Sequence, residues 1–282
     1  PQEATLQVTA NLFDVASLQE QYNNIKARNL QAVGTVGKLY HDTKGKVKFT
    51  PDGDLKQVLK FPHRKDDDTT GAIVIYEAPY KNSEQQVPMN MYVICHDPYG
   101  QNQSADSTSL GAAYVLKRPN NLSQPDDIIV ASYVGRPKTQ DDYNRNLFLL
   151  ADYYGCKIGF ENDRGEVIAY AKRYRKLHKL QEEFEMLDKK ELRSRTVKRQ
   201  YGMHMTEGRK RQGEIYIRDW LNTSRSTDEN GNKLLNLHKI YDPAFLMAFM
   251  IGMYHTRELY NAEVKDILED NSANTWFDQN YY

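Results

Sequence analysis

The sequence predicts an α/β protein with a mixed central sheet flanked by helices, and three observations lead to that fold class. Three strand-like segments follow one another between residues 90 and 133, a capped amphipathic helix comes next, and a short apolar strand follows the helix. A chain that returns to a sheet through a helix runs parallel to an earlier strand. The predicted sheet therefore combines an antiparallel meander with one parallel neighbour.

The first 88 residues are predicted to form an N-terminal extension packed on the main sheet, and residues 89–282 the main domain. Within the extension, residues 15–29 show a helical pattern, and residues 37–49 indicate two strands around an Asp-Thr-Lys-Gly turn. Polar loops at residues 64–70 and 82–88 separate these elements from the segment that begins at Met89.

The main domain shows a defined succession of elements. Strands are predicted at residues 90–96, 108–116 and 128–133, and a fourth at 157–160. Between the third and fourth, Thr139 precedes two acidic residues and a helical pattern that ends at Gly155, as expected of a capped helix. Residues 164–187, 207–221 and 243–260 are predicted to be helical. A meander, a crossover helix and a parallel fourth strand make up the ribonuclease H-like order.

The composition limits the class of protein. The chain has 282 residues, with 38 basic and 38 acidic side chains, and this balance argues against a histone-like binder of nucleic acid. Its two cysteines, Cys95 and Cys156, lie in apolar stretches, which indicates buried thiols in a reducing cytoplasm. No long apolar run or signal peptide occurs, so neither membrane insertion nor secretion is expected. A first residue other than Met suggests a fragment.

One region of the chain is basic. Residues 164–218 contain sixteen Lys or Arg against eight Asp or Glu, with tyrosines among them. Such a surface suits contact with DNA phosphates, which gives affinity without sequence readout, although an ordinary solvated helical face is the alternative. Two of the candidates follow a glycine-containing turn expected at Gly208. The candidate DNA-binding residues are Lys172, Arg173, Arg175, Lys210 and Arg211.

Two acids follow directly on apolar strands. Asp97 ends Tyr-Val-Ile-Cys-His-Asp, and Glu161 ends Lys-Ile-Gly-Phe-Glu. If the two strands are parallel neighbours, both acids lie at the carboxyl edge of the sheet, where sites form. Close carboxylates repel each other, and Mg²⁺ or Mn²⁺ relieves that repulsion. Each acid alone is as readily a turn former or a solvated strand end, but together they predict a centre for two-metal phosphodiester cleavage.

Three nearby residues are left out of the predicted site. His96 adjoins Asp97, but successive strand side chains point to opposite faces, so His96 is expected to pack or to face solvent. Asp106 and Asp163 are candidates for an auxiliary ligand, and a loop position accounts for each of them as well.

The stretch of residues 92–162 resembles the nuclease domain of the large terminase subunits of tailed phages, particularly the crAss-like and related Bacteroides-infecting groups. The motifs that carry the resemblance are His-Asp-Pro-Tyr, Ser-Leu-Gly-Ala-Ala-Tyr-Val-Leu-Lys-Arg, Val-Ala-Ser-Tyr-Val-Gly-Arg-Pro and Ile-Gly-Phe-Glu-Asn. The similarity extends over about residues 12–259. It implies that Asp97 and Glu161 are the first and second catalytic carboxylates.

The resemblance also implies a third acid at the start of the last apolar helix, where Asp242 stands. Because Pro243 follows it, an N-cap role is the alternative for Asp242. Relatives have a longer stretch here with an Asp-Arg pair. Whether the third acid is Asp242 or belongs to residues absent near Leu246 is therefore open.

By this resemblance the chain is an endonuclease of a DNA-packaging motor. It is expected to cut concatemeric double-stranded DNA in the host cytoplasm with two Mg²⁺ or Mn²⁺ ions, beside a portal protein and a small terminase subunit. No ATPase motif occurs in the chain. Two alternatives stay open: another ribonuclease H-like nuclease of resolvase or transposase type, and a non-catalytic module that docks on DNA or on the portal.

Overall fold

A computed structural model describes residues 23, 27, 34–58, 66–100, 109–123, 127–163, 166–183 and 201–222. Seven strands of these residues form a single sheet in the order β2-β1-β3-β6-β5-β4-β7. The strands are β1 (Thr35–His41), β2 (Val47–Pro51), β3 (Ala72–Ile75), β4 (Tyr92–Asp97), β5 (Gly111–Lys117), β6 (Ile128–Gly135) and β7 (Ile158–Phe160). The helices are α1 (Gln140–Tyr154), α2 (Val167–Arg173) and α3 (Glu207–Asn222), with a 3-10 turn, η1 (Leu177–Lys179).

The pairing of the last four strands confirms the predicted topology. Strand β4 pairs antiparallel with β5, and β5 pairs antiparallel with β6, so these three strands form a meander. After α1 the chain re-enters the sheet as β7, which lies parallel to β4 on its other side. The mixed sheet flanked by helices therefore has the ribonuclease H-like order.

The strands near the N-terminus belong to the same sheet. Strands β1 and β2 form the predicted hairpin, and its turn is closed by the carboxylate of Asp42, which accepts hydrogen bonds from the backbone of Lys44 and Lys46. Strand β3 pairs with β1 on one side and β6 on the other. Most of the predicted helix at residues 15–29 lies outside the described residues, and the division at residue 88 stays a prediction.

Helix α1 has the ends that its sequence predicts. The Thr139 hydroxyl accepts a hydrogen bond from the backbone of Asp142, and Gly155 adopts the left-handed conformation, with φ of 62°, that ends the helix. Leu147, Leu150 and further apolar residues of one face are fully buried against the sheet. Burial of this face fixes the path by which the chain returns to β7.

The segment after β7 differs from its prediction. Less of residues 164–187 is helical than predicted, because α2 is only seven residues long and ends where Arg175 takes a positive φ of 56°. The chain then turns back alongside β7, and the backbone of Gln181 donates to the carbonyl of Ile158 at 2.9 Å. The predicted helix at 207–221 is confirmed as α3, and Gly208 lies inside its first turn, so no loop turn occurs there.

One further predicted helix lies outside the described residues. The apolar segment 243–260 is outside the described residues. Of the helices that are described, none is long and apolar enough to cross a membrane.

Candidate active site

The structure brings Asp97 and Glu161 together at one edge of the sheet. Asp97 is the last residue of β4, and Glu161 directly follows β7. The parallel register pairs His96 with Phe160, and the backbone N–H of Glu161 donates to the carbonyl of His96 at 3.3 Å. Because neighbouring strands lie about 4.8 Å apart, the two acids occupy adjacent positions at the carboxyl edge.

The two acids also share a face of the sheet. Side chains alternate along a strand, so each acid is directed away from the face taken by the residue before it. Those preceding residues, His96 and Phe160, are both buried, and the ring of His96 stacks on Tyr143 of α1 with centroids 5.3 Å apart. Asp97 and Glu161 are therefore directed to the opposite face, and both are partly exposed.

Carboxylate oxygens at adjacent positions are the donors that hard divalent cations such as Mg²⁺ and Mn²⁺ prefer. In the part of the chain that the structure describes, no three His, Cys, Asp or Glu side chains are grouped closely enough to hold a metal ion. Asp242 and Asp106 lie outside the described residues. The donors at the ends of β4 and β7 are thus Asp97 and Glu161, to which a third ligand would have to be added.

Tyr99, two residues after Asp97, is held by contacts from α1 and from the residue that follows β6. The Gln140 side chain donates to the carbonyl of Tyr99 at 2.6 Å, and the Arg136 guanidinium lies over the Tyr99 ring, 4.8 Å from its centroid. Arg136 also donates to the carbonyl of Ser109 at 2.7 Å. These contacts hold the chain on both sides of residues 101–108 and so position the strand end that carries Asp97.

A second polar group at this edge was not predicted from the sequence. Residues 201–205 run beside the end of β7, and the ring Nδ1 of His204 contacts the carboxylate of Asp163. From the sequence, Asp163 is a candidate auxiliary ligand or a loop acid, and His204 has no predicted role. Their pairing joins chain segments separated by 40 residues, and no local motif signals it.

His96 packs in the core, one of the two positions expected for it. Burial lowers the pKa of His96 to about 4, although a hydrogen bond to the carbonyl of Ala112 acts in the other direction. The imidazole is therefore neutral near pH 7. It contributes to the contact between β4 and α1 rather than to the edge where the acids lie.

The candidate DNA-binding residues fall into two groups. Lys172, Arg173 and Arg175 are exposed at the end of α2, where Arg173 forms an ion pair of 2.5 Å with Asp141. Lys210 and Arg211 lie in the first two turns of α3, where Arg211 is exposed and Lys210 pairs with a neighbouring glutamate. Contact of either group with DNA stays a prediction.

Both cysteines are buried free thiols, as the sequence predicts. Burial raises the pKa of Cys156 to about 12 and raises that of Cys95 still further. Neither thiol is therefore a nucleophile near neutral pH.

Comparison with known proteins finds similarity to solved structures. No protein-family model matches the chain, and no curated protein matches it. Among solved structures, the chain is similar to the large terminase nuclease of the thermophilic phage G20c with bound magnesium, at 12% identity and a TM-score of 0.37, covering 71% of this chain and 93% of that one.

Two further structures of the same phage nuclease give similar values. One is similar at 14% identity, with a TM-score of 0.34 and coverage of 70% of this chain and 92% of that one. The other contains bound cobalt, with 13% identity, a TM-score of 0.34, and coverage of 71% and 93%. Similarity at this level does not assign a function to this chain.

Proposed function

We propose that this chain is the nuclease domain of a phage DNA-packaging terminase, a metal-dependent endonuclease that cuts concatemeric double-stranded DNA. The observation that carries the proposal is the adjacent placement of Asp97 and Glu161 at the carboxyl edge of parallel neighbouring strands. The terminase-like motifs between residues 92 and 162 are the basis for proposing this family, with a crAss-like or related Bacteroides phage as the source.

The two carboxylates supply oxygen ligands for Mg²⁺ or Mn²⁺, and Asp242 is the proposed third acid. When bound, two such ions activate an attacking water and stabilise the leaving oxygen of a phosphodiester. The protein contributes rigid placement, because β4 and β7 are buried strands joined by backbone hydrogen bonds. Such placement would hold the two acids in adjacent positions in spite of their mutual repulsion.

Double-stranded DNA is the proposed partner, held through its phosphates by the exposed cations of α2 and α3. This mode gives binding without sequence preference and with a steep dependence on salt. In the full motor the domain would work in the host cytoplasm beside a portal protein and a small terminase subunit.

A nicking assay on supercoiled plasmid tests the proposal. We expect cleavage in Mg²⁺ or Mn²⁺ and none in EDTA. Asp97→Asn and Glu161→Gln should each lower the rate at least about a hundredfold, since a lost ion removes several kcal/mol of transition-state stabilisation. The matched control is Glu84→Gln, an exposed acid in the turn before β4, which should cut at the wild-type rate.

The choice of DNA substrate and the same variants together distinguish the alternative functions. A resolvase-type or transposase-type nuclease would cut branched DNA or transposon ends in preference to plain duplex. A docking module would bind DNA equally well in all variants and cut none of it. If the Asp97→Asn or Glu161→Gln variant cut DNA at the wild-type rate, these acids would not form the active site.

A further inference from the structure

The end of α2 carries an exposed tyrosine ring. Tyr174 is 50% exposed, and its ring packs against Tyr170, with centroids 4.5 Å apart and the ring planes tilted by 41°. Tyr170 is buried and stacks in turn on Phe148 of α1, with centroids 5.2 Å apart, and Phe148 is fully buried. The three rings therefore form a ladder from the core to the surface, and Tyr174 is its outer ring.

Exposed cations lie on both sides of Tyr174 in the chain. Lys172, Arg173 and Arg175 are all exposed. Arg173 is paired with Asp141, and among the described residues no acid pairs with Lys172 or Arg175. An exposed aromatic ring beside uncompensated positive charge suits a ligand that has both a flat ring and a negative charge, as a nucleotide does.

Arg175 occupies a position that favours glycine. Its φ of 56° is left-handed, and its N–H donates to the carbonyl of Lys172 at 3.3 Å. The N–H of Lys176 donates to the carbonyl of Ala171 at 2.7 Å, which completes the Schellman ending of a helix. Because a residue with a Cβ is strained in this conformation, arginine stabilises the helix end less than glycine would. An arginine at this strained position, next to Tyr174, indicates a role for its charge.

The outer ring fits an unpaired base rather than a paired one. In an intact duplex the bases stack on each other, so their flat faces do not reach a protein ring. An unpaired base has a free face, and it can stack on an aromatic side chain whatever its sequence. Unpaired nucleotides occur where a duplex has been cut or has melted.

We propose that Tyr174, flanked by Lys172 and Arg175, stacks on an unpaired base of single-stranded DNA, such as an overhang at a duplex end. The inference rests on the proposed function for its ligand, DNA, and adds a second binding site to it. The two candidate acids are directed to the face of the sheet away from α1, whereas α2 packs on α1, so the two sites are separate.

Fluorescence anisotropy in EDTA tests the proposal without cleavage of the DNA. The ligands are a blunt duplex and the same duplex with a short single-stranded overhang, and the wild type should bind the overhang duplex more tightly. Tyr174→Ala should weaken binding of the overhang duplex about tenfold, the loss expected of one stacked base, and change binding of the blunt duplex less than about twofold. Tyr174→Phe should bind both DNAs as the wild type does, because it keeps the ring.

Arg175→Gly separates the charge of the site from the stability of the fold. It should raise the melting temperature, because glycine is unstrained at a positive φ. It should nevertheless weaken binding of the overhang duplex and lower the salt slope of that binding by about 0.7, the contribution of one single-strand phosphate contact. A glycine variant that binds the overhang duplex as tightly as the wild type would contradict the role of Arg175.

Tyr40→Ala is the matched control, because Tyr40 of β1 is similarly exposed, at 45%. It should bind both DNAs as the wild type does, and melting temperatures would show that all variants fold. The proposal is overturned if the wild type does not prefer the overhang, if Tyr174→Ala affects both DNAs equally or neither, or if Tyr174→Phe binds no better than Tyr174→Ala. A wild type that binds the overhang through Tyr174 but nicks no plasmid overturns the proposed nuclease function alone.

Discussion

Glu161 lies beside Asp97 because the crossover through α1 brings β7 into the sheet parallel to β4. The hydrogen bond from the Glu161 backbone to the His96 carbonyl, 3.3 Å long, fixes the relative level of the two strand ends. In an antiparallel arrangement the end of β7 would lie at the opposite edge of the sheet. The direction of one three-residue strand thus decides whether the two carboxylates meet.

Neutralising the cations at the end of α2 should reduce the salt dependence of DNA binding. Lys172 and Arg175 are exposed, and among the described residues no acid pairs with either of them. Since each phosphate contact contributes about 0.9 to the slope of log K against log salt, Lys172→Ala with Arg175→Ala should lower the slope by about 2. Fluorescence anisotropy at several salt concentrations measures it.

The control for that experiment is the pair Lys44→Ala and Lys46→Ala, exposed cations of the β1–β2 turn. This pair should leave the slope unchanged. A slope equally unchanged in the α2 variant would contradict a DNA-binding role for the end of α2.

Removing the N-cap of α1 should destabilise the fold. The Thr139 hydroxyl accepts from the backbone of Asp142 at 3.1 Å and donates to its carboxylate at 2.6 Å. We expect Thr139→Ala to lower the free energy of unfolding by about 1 kcal/mol in urea titration, whereas Thr139→Ser keeps the cap. Equal stability of the alanine and serine variants would show that the cap contributes nothing measurable.

The ion pairs of Asp152 predict a dependence of stability on pH. Burial raises the pKa of Asp152, but hydrogen bonds from Lys179 and Lys176 outweigh burial and hold the pKa below its usual range. Because the folded pKa is the lower one, the stabilisation is present above about pH 4 and is lost as the pH falls below it.

Asp152→Asn should therefore be less stable than the wild type by about 1 kcal/mol or more at pH 7, and the difference should shrink as the pH falls below about 4. Urea titrations at a series of pH values measure it, with Glu84→Gln as the exposed control. A difference between Asp152→Asn and the wild type that does not depend on pH would contradict the assigned ion pairs.

The thiols should resist alkylation in the folded protein. With a pKa of about 12, Cys156 is thiolate in about one molecule in ten thousand at pH 8, and Cys95 is more fully protonated. Iodoacetamide labelling followed by mass spectrometry should show little reaction in buffer and two labels in urea. Labelling in buffer should rise steadily between pH 7 and 9, and a plateau in that range would indicate a thiol of ordinary pKa.

Elements with local signals could be predicted from the sequence. Thr139 and Gly155 define both ends of α1, and an apolar segment ending in an acid defines β4 and β7. The adjacent placement of Asp97 and Glu161 could be predicted from these elements, because a strand that returns through a helical crossover runs parallel to an earlier strand. A high content of Lys and Arg did not predict structure equally well. The helical material expected over residues 164–187 is observed as the short α2 and the turn η1, followed by a return along β7.

Contacts between distant segments could not be predicted in the same way. The pairing of β3 with β6 has no local signature, since an apolar four-residue strand fits several neighbours. The same holds for His204 with Asp163 and for Arg136 over Tyr99. In each case the partners are far apart in the chain and only the fold brings them together.

Diffraction from crystals soaked in Mn²⁺, recorded for the anomalous signal of the metal, would show whether Asp97 and Glu161 hold divalent ions together. We expect a manganese peak bound by carboxylate oxygens of both Asp97 and Glu161, at roughly 2 Å from each, as expected of carboxylate ligands to ions of this kind. A fully soaked crystal with no peak between these two acids, or with manganese bound only elsewhere, would contradict it.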